Sequence, residues 1–325
     1  MRHIFYCYRM SKVLIITPCS DRKYGFTPEH MRAASLPCGS LPAVANEWSA
    51  RVSESIPTNA ARDVYAGRSF VELKVAQSLV SADLAIISAG LGIVRGQQKI
   101  PNYGITVSRS ASDSIFKKIE GKAQSSEWWS HLQKTMGAKF DLNSIDFGTY
   151  DLVLMIMSKN YAKMVSSDLS LMSEDVIKKV RVFGVGITSL MPVKLRDNIL
   201  SYDQRLNGPD YDHPGTMTDL PARCLLDFCK QMQDNSEIGR NLQYDKQFVE
   251  GRLNGMRYPQ VFDRKVCTDD EIKSFILKHW DADNCNVNKT LRLLRDEGFA
   301  CEQTRFANLF KSVKHEKKLQ GEFNL

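Results

Sequence analysis

Within five consecutive residues, Cys19-Ser20-Asp21-Arg22-Lys23, the chain carries a thiol, a hydroxyl, a carboxylate and two cations. A carboxylate and an amine two residues apart are complementary tools for breaking a polar bond. The carboxylate stabilises positive charge on one fragment or orients a water against it. The amine meets negative charge on the departing fragment. With a depressed pKa it can instead attack carbon as a nucleophile. Asp21 and Lys23 are therefore the candidate catalytic pair, with an ion pair within the loop as the purely structural alternative. Cys19 and Ser20 are candidate substrate contacts beside them. No histidine other than His30 is close in sequence, so a buried inert thiol competes for Cys19.

A loop of this kind works only if rigid elements hold it. The run Val13-Leu14-Ile15-Ile16 just before it predicts a buried parallel strand over about 12–18. The polar loop at the carboxyl end of such a strand is where open α/β sheets keep their ligands. Three more apolar runs, at 83–88, 151–158 and 181–187, predict further buried strands. Helical patterns fall near 42–55, 67–81, 111–136, 159–166 and 218–233, and 93–110 reads as loop. The expected fold class is α/β, a four-stranded mostly parallel sheet with helices on both faces.

The upper rim of that sheet would be built from Cys19–Lys23, Ser88–Tyr103, Ser158–Tyr161 and Thr188–Ser189. Ser88 can hydrogen-bond a ligand, Asn102 has both donor and acceptor, and Tyr103 can stack on a flat ring. Tyr65, Phe70, Trp128 and Trp129 read as packing residues. Gly90-Leu91-Gly92 lacks the spacing of a dinucleotide fingerprint, and there is no Walker A motif, so no nucleotide cofactor is expected.

Beyond the sheet, Asn207-Gly-Pro-Asp-Tyr-Asp-His-Pro-Gly215 is a dense turn cluster in which His213 can contact a base or phosphate. Arg68, at a helix start, can pair with a phosphate. From about 266 a self-contained module begins, with Thr268 as an N-cap and Gly298 closing a second helix. Three helices with a tight glycine turn predict an all-helical, helix-turn-helix-like module. Gln303 and Arg305 would then face base edges, and Lys311 and Lys314 the phosphates. The expected organisation is a leader over 1–10, an α/β domain over 11–265 and the helical module over 266–325.

Composition narrows the classes. The chain has 325 residues, 43% hydrophobic and 25% charged, as globular proteins do. No apolar run approaches the roughly 18 residues that cross a bilayer, so no membrane partner is expected. Net charge is +7, a mild lean toward a polyanion. The eight cysteines are scattered, with no Cys-x-x-Cys and no histidine cluster, which argues for a reduced cytoplasmic protein without a structural metal.

The ordered segments Cys19-Ser20-x-x-Lys23, Val64-Tyr65-x-Gly67-x-x-Phe70, Ile86-Ile87-Ser88-Ala89-Gly90-Leu91-Gly92-Ile93-Val94 and Pro101-Asn102-Tyr103 resemble the DUF6884 family. Pro18-Cys19-x-x-x-Lys23 with Thr27-x-x-His30 is also similar to the core motif of archaeosine synthase, which handles 7-deazaguanine bases. Two departures separate the chain from that enzyme. Tyr24-Gly25 stands where it keeps Pro-Tyr, and the histidine spacing differs. The resemblance covers about residues 12–108 and implies a uracil-DNA glycosylase-like fold. The Gly-x-Asp-Pro-Tyr and His-Pro-Ser motifs of uracil excision are not intact, so the uracil pocket itself is not implied.

Together these readings predict a DNA glycosylase that flips a modified base out of a duplex and hydrolyses its N-glycosidic bond. The resemblance extends the expectation to anti-phage enzymes that excise glucosylated hydroxymethylcytosine. Two rivals stand beside it: a base-exchanging or base-modifying enzyme of the 7-deazaguanine line, and a non-catalytic DNA-binding stress protein.

Overall fold

The computed structural model describes residues 12–137, 142–280 and 286–322, so the expected leader at 1–10 lies outside the described residues. The chain divides into two compact units, Met1–Pro259 and Gln260–Leu325.

The first unit runs β1 (Val13–Pro18), α1 (Leu41–Glu54), β2 (Asn59–Ala60), α2 (Ala61–Val64), α3 (Arg68–Leu79), β3 (Asp83–Ser88), β4 (Gly92–Arg95) and β5 (Lys99–Ile100). It continues with α4 (Ser125–Met136), β6 (Leu152–Ile156), α5 (Lys159–Met164), α6 (Ser166–Ser170), α7 (Glu174–Lys179), β7 (Val180–Phe183), α8 (Leu220–Asp234) and α9 (Leu242–Asn254). Its central sheet has five strands in the order β4-β3-β1-β6-β7. β1, β3, β6 and β7 run parallel, with Ile15 opposite Leu84 on one side and Leu154 on the other. All but their first or last residues are buried, as strands covered on both faces must be.

Each of the four expected parallel strands is present, and a fifth joins them. Gly92–Arg95, read as loop, pairs antiparallel with β3, Ile86 opposite Val94. Gly92 takes φ +70°, which reverses the chain at once, and the β-branched Ile93 and Val94 that follow are buried. The helix expected over 111–136 begins only at Ser125. Gln124 and Glu127 form a reciprocal cap there, and Gly121 at φ +82° separates it from the turns before.

The connectivity decides where a ligand would sit. β1 connects to β3 on one side, and the chain then crosses back to β6 on the other side of β1. Right-handed crossovers in opposite directions place their helices on opposite faces. One layer contains α3 packed on α8, and the other α4 packed on α1 and α5. Trp128 and Trp129 of α4 are core residues, 0% and 1% exposed.

The second unit contains β8 (Lys265–Val266), α10 (Asp269–Lys278), α11 (Val287–Asp296), β9 (Phe299–Ala300) and α12 (Gln303–Glu322). Ile272, Phe275, Ile276, Leu294, Phe306 and Phe310 are among its core residues. The Thr268–Glu271 capping box opens α10 as its spacing predicts. Contrary to the all-helical expectation, β8 and β9 pair in parallel. Gly298, at φ +86°, turns the chain after α11, and its carbonyl accepts from Lys265 N, which aligns the two short strands. Among the described residues no helix is long and apolar enough to cross a membrane.

Candidate active site

The strand order reverses between β1 and β6, and their carboxyl ends open the crevice where doubly wound sheets bind ligands. Cys19 leaves β1 there, its N–H still bonded to Ile87 O of β3. Tyr161, in the first turn of α5 just after β6, comes from the other side. Cys19 Sγ and Tyr161 Oη meet at 3.0 Å. Burial, and then the Cys19 sulfur, push the Tyr161 phenol well above its ordinary range.

Lys23 lies in an aromatic seat. Its Nζ is 4.2 Å from the centre of the Tyr103 ring and 5.6 Å from that of Tyr65, both within cation–π range. Among the described residues it donates one hydrogen bond, to Ser20 O at 3.2 Å. Among the described residues no carboxylate approaches it within ion-pair distance, so the loop ion pair with Asp21 does not form. Burial lowers the Lys23 pKa. The charges of Cys19, Asp21 and Asp113 act in the opposite direction, and that of Arg32 reinforces the lowering. The result is a half-buried amine whose lost hydration is only partly compensated.

The seat is itself held by a chain of hydroxyl groups. Ser88 Oγ accepts from Leu91 N at 2.8 Å and Gly90 N at 3.2 Å, which occupies both its lone pairs. Its proton therefore goes to Tyr103 Oη at 2.6 Å, and the Tyr103 proton to Tyr65 Oη at 2.8 Å. The chain is polarised from the β3–β4 turn toward Tyr65, and burial keeps both phenols protonated. Two tryptophans fix the same turn: Trp48 Nε1 donates to Gly90 O and Trp128 Nε1 to Ala89 O. A Cβ at Gly90 would come within 2.8 Å of the Tyr103 ring, so only glycine lets that ring lie flat beneath Lys23.

Other expected site residues take different places. Asp21 is exposed, with no hydrogen bond or ion pair among the described residues, two positions from the seated amine. Ser20 Oγ clasps its own loop through Arg22 O at 2.6 Å. Ser88 and Tyr103 are buried and engaged with each other rather than open to a ligand, and a cation covers the Tyr103 ring face. Asn102 spends its amide protons on Tyr24 O and Phe26 O, while its Oδ1 is buried without a partner. Arg68 donates to Pro214 O and faces Glu72 and Asp219, so its charge is committed within the fold. That contact ties the His213 loop to the start of α3, and His213 itself is exposed. In the second unit Gln303, Lys311 and Lys314 are exposed. Arg305 is bound to Asp269 and to Cys267 O, which makes it a strut of that unit rather than a free base reader.

Four further residues shape this centre. Tyr65 and Tyr161 supply phenols to it. Arg32 and Asp113 pair at 2.9 Å and act on Lys23 through space. The spacing of Tyr65 from Phe70, which resembles a family motif, was the available signal for Tyr65. Nothing local marks Asp113, 81 positions from Arg32. Comparison with protein-family models, with curated proteins and with solved structures gives no match.

Proposed function

We propose that the protein is a DNA glycosylase on a uracil-DNA glycosylase-like scaffold. It would hydrolyse the N-glycosidic bond of a modified base, of the hypermodified cytosine type, in defence against phage. One observation carries this reading: at the switch point of the sheet a lysine is seated on aromatic rings without a carboxylate in contact, beside an unpaired exposed aspartate.

In this mechanism the target nucleotide leaves the duplex and enters the crevice above β1 and β6. Asp21 orients a water toward C1′ and stabilises the oxocarbenium character of the sugar. The N-glycosidic electron pair leaves with the base, and the Lys23 ammonium meets the negative charge. Water adds its oxygen to C1′ and yields its proton to the released base. Exposed Lys311 and Lys314 of the second unit would follow phosphates. Since Lys23 acts as a cation, activity declines as pH rises through its lowered pKa.

The test is to incubate the protein with phage DNA containing glucosylated hydroxymethylcytosine and to count abasic sites. Wild type is expected to produce them, with Asp21→Asn and Lys23→Met inactive. Borohydride should trap no covalent adduct. Absence of abasic sites on every modified duplex contradicts the reading.

A further inference from the structure

Immediately after Lys23 the chain presents two aromatic rings to solvent, Tyr24 at 59% and Phe26 at 81% exposure. The loop that carries them is braced by three hydrogen bonds. Asn102 Nδ2 donates to the carbonyls on both sides of Gly25, to Tyr24 O at 2.8 Å and Phe26 O at 3.0 Å. Tyr24 N donates to Val64 O at 2.8 Å. Gly25 has φ +83°, and a Cβ there would come within 2.9 Å of Asn102 Nδ2, so the turn admits glycine alone. The fold thus fixes the backbone of the tip while leaving most of its aromatic surface exposed. Beside them Arg22 is exposed, and its guanidinium has no partner among the described residues.

A rigid pair of π faces with a free guanidinium one or two residues away matches a ligand that is flat and aromatic at one end and anionic at the other. A nucleotide in a strand has that chemistry: the bases stack on the rings and the phosphate pairs with the arginine. We infer that the Tyr24–Phe26 loop is the element that enters the DNA base stack beside the extruded nucleotide, with Phe26 leading and Arg22 on the adjacent phosphate. This rests on the glycosylase reading for the identity of the strand. It assigns a DNA-contacting role to three residues outside the catalytic pair.

The experiment uses the full chain and a modified-cytosine duplex with 2-aminopurine next to the target, read by binding affinity and by the fluorescence rise on unstacking. Tyr24→Ala and Phe26→Ala remove exposed rings, so their melting temperatures should match wild type. Phe26→Ala is expected to bind about tenfold more weakly and to lose the fluorescence rise, Tyr24→Ala less so. Arg22→Gln should reduce the salt dependence of binding by about one counterion. Wild-type affinity and fluorescence in both ring variants overturn the inference, as does a ring dependence seen on RNA but not on DNA. Failure of the glycosylase reading is separately visible: no abasic sites form, whether or not the rings govern DNA affinity.

Discussion

Lys23 is a half-buried cation and Arg223 a fully buried one, and the fold treats them differently. Arg223, at the start of α8, is completely buried and every nitrogen finds an acceptor: Asp219, Leu206 O, Asn207 and Thr216 O. The same pattern recurs nearby, where buried Arg181 meets Asp245 at 2.5 Å and Arg252 grips Asp227 with two nitrogens. Lys23 has one carbonyl and two ring faces. Half-buried Lys179 and Lys194 also donate to a carbonyl, Tyr150 O and Met172 O, but Lys23 alone of these three has aromatic rings beneath its ammonium among the described residues. The cation without a carboxylate partner among the described residues stands at the switch point of the sheet, and we read that contrast as the mark of a group kept for chemistry.

The comparison breaks first, and with the largest effect, at the paired end. Arg223→Ala takes from buried Asp219 its closest cation, leaving Arg68 at 3.5 Å, and strands the acceptors Leu206 O and Thr216 O, so denaturant unfolding should show a loss of about 3–5 kcal/mol. A loss below about 1 kcal/mol would mean that the network is not structural. Ser88→Ala comes next. It strands two backbone N–H groups and removes the donor to Tyr103 Oη, for a loss of about 1–3 kcal/mol. Freeing the Tyr103 ring should also move the pH profile of any activity, a change that a merely structural role would not cause.

Lys23→Met sharpens the contrast with the opposite sign. The native pKa of Lys23 lies below that of the unfolded chain, so the unfolded state binds the proton more tightly. Stability therefore rises with pH between the native value and the ordinary lysine value of about 10.4. Replacing Lys23 by methionine should abolish activity, hold or raise the melting temperature at pH 7, and flatten that alkaline slope. A clear loss of stability at pH 7 would place Lys23 with the structural cations.

The smallest effect lies on the surface. The Arg257 guanidinium, gripping Asp210, holds its carboxyl down to about 2. The tie is present above the ordinary carboxylate range and lost as pH falls toward 2. The Asp210 carboxyl carbon should titrate near that value by NMR and return to the ordinary range in Arg257→Gln, while global stability hardly changes.

What could be read in the sequence follows from how local each feature is. Strands buried on both faces, such as Val13–Pro18 and Leu152–Ile156, announce themselves as continuous apolar runs, and the loop at Cys19–Lys23 follows at once. β4 is four residues long and depends on a glycine conformation, so it has no comparable pattern. α9 buries only a narrow stripe, Asp245, Val249 and Leu253, and escaped the helical reading for that reason. At the site, Asp21 and Lys23 were legible as residue types, whereas the absence of an ion pair between them was not. The lysine seat joins Tyr65 to Tyr103 across 38 positions, and its hydroxyl chain depends on a turn locked by Trp48 and Trp128. Arg68 and Arg305 looked like phosphate and base contacts because sequence shows a cation and not its partner. Their acceptors, Pro214 O and Asp269, lie 146 and 36 positions away.

The central claim is that the switch-point lysine is desolvated without a carboxylate in contact to compensate it. Titrating the Lys23 side chain by NMR in the full-length protein, with Lys23→Met to assign the signal, measures this directly. A pKa clearly below the ordinary lysine value is expected, rising when Tyr103→Ala opens the seat to water. A value at or above about 10.4 would contradict the account.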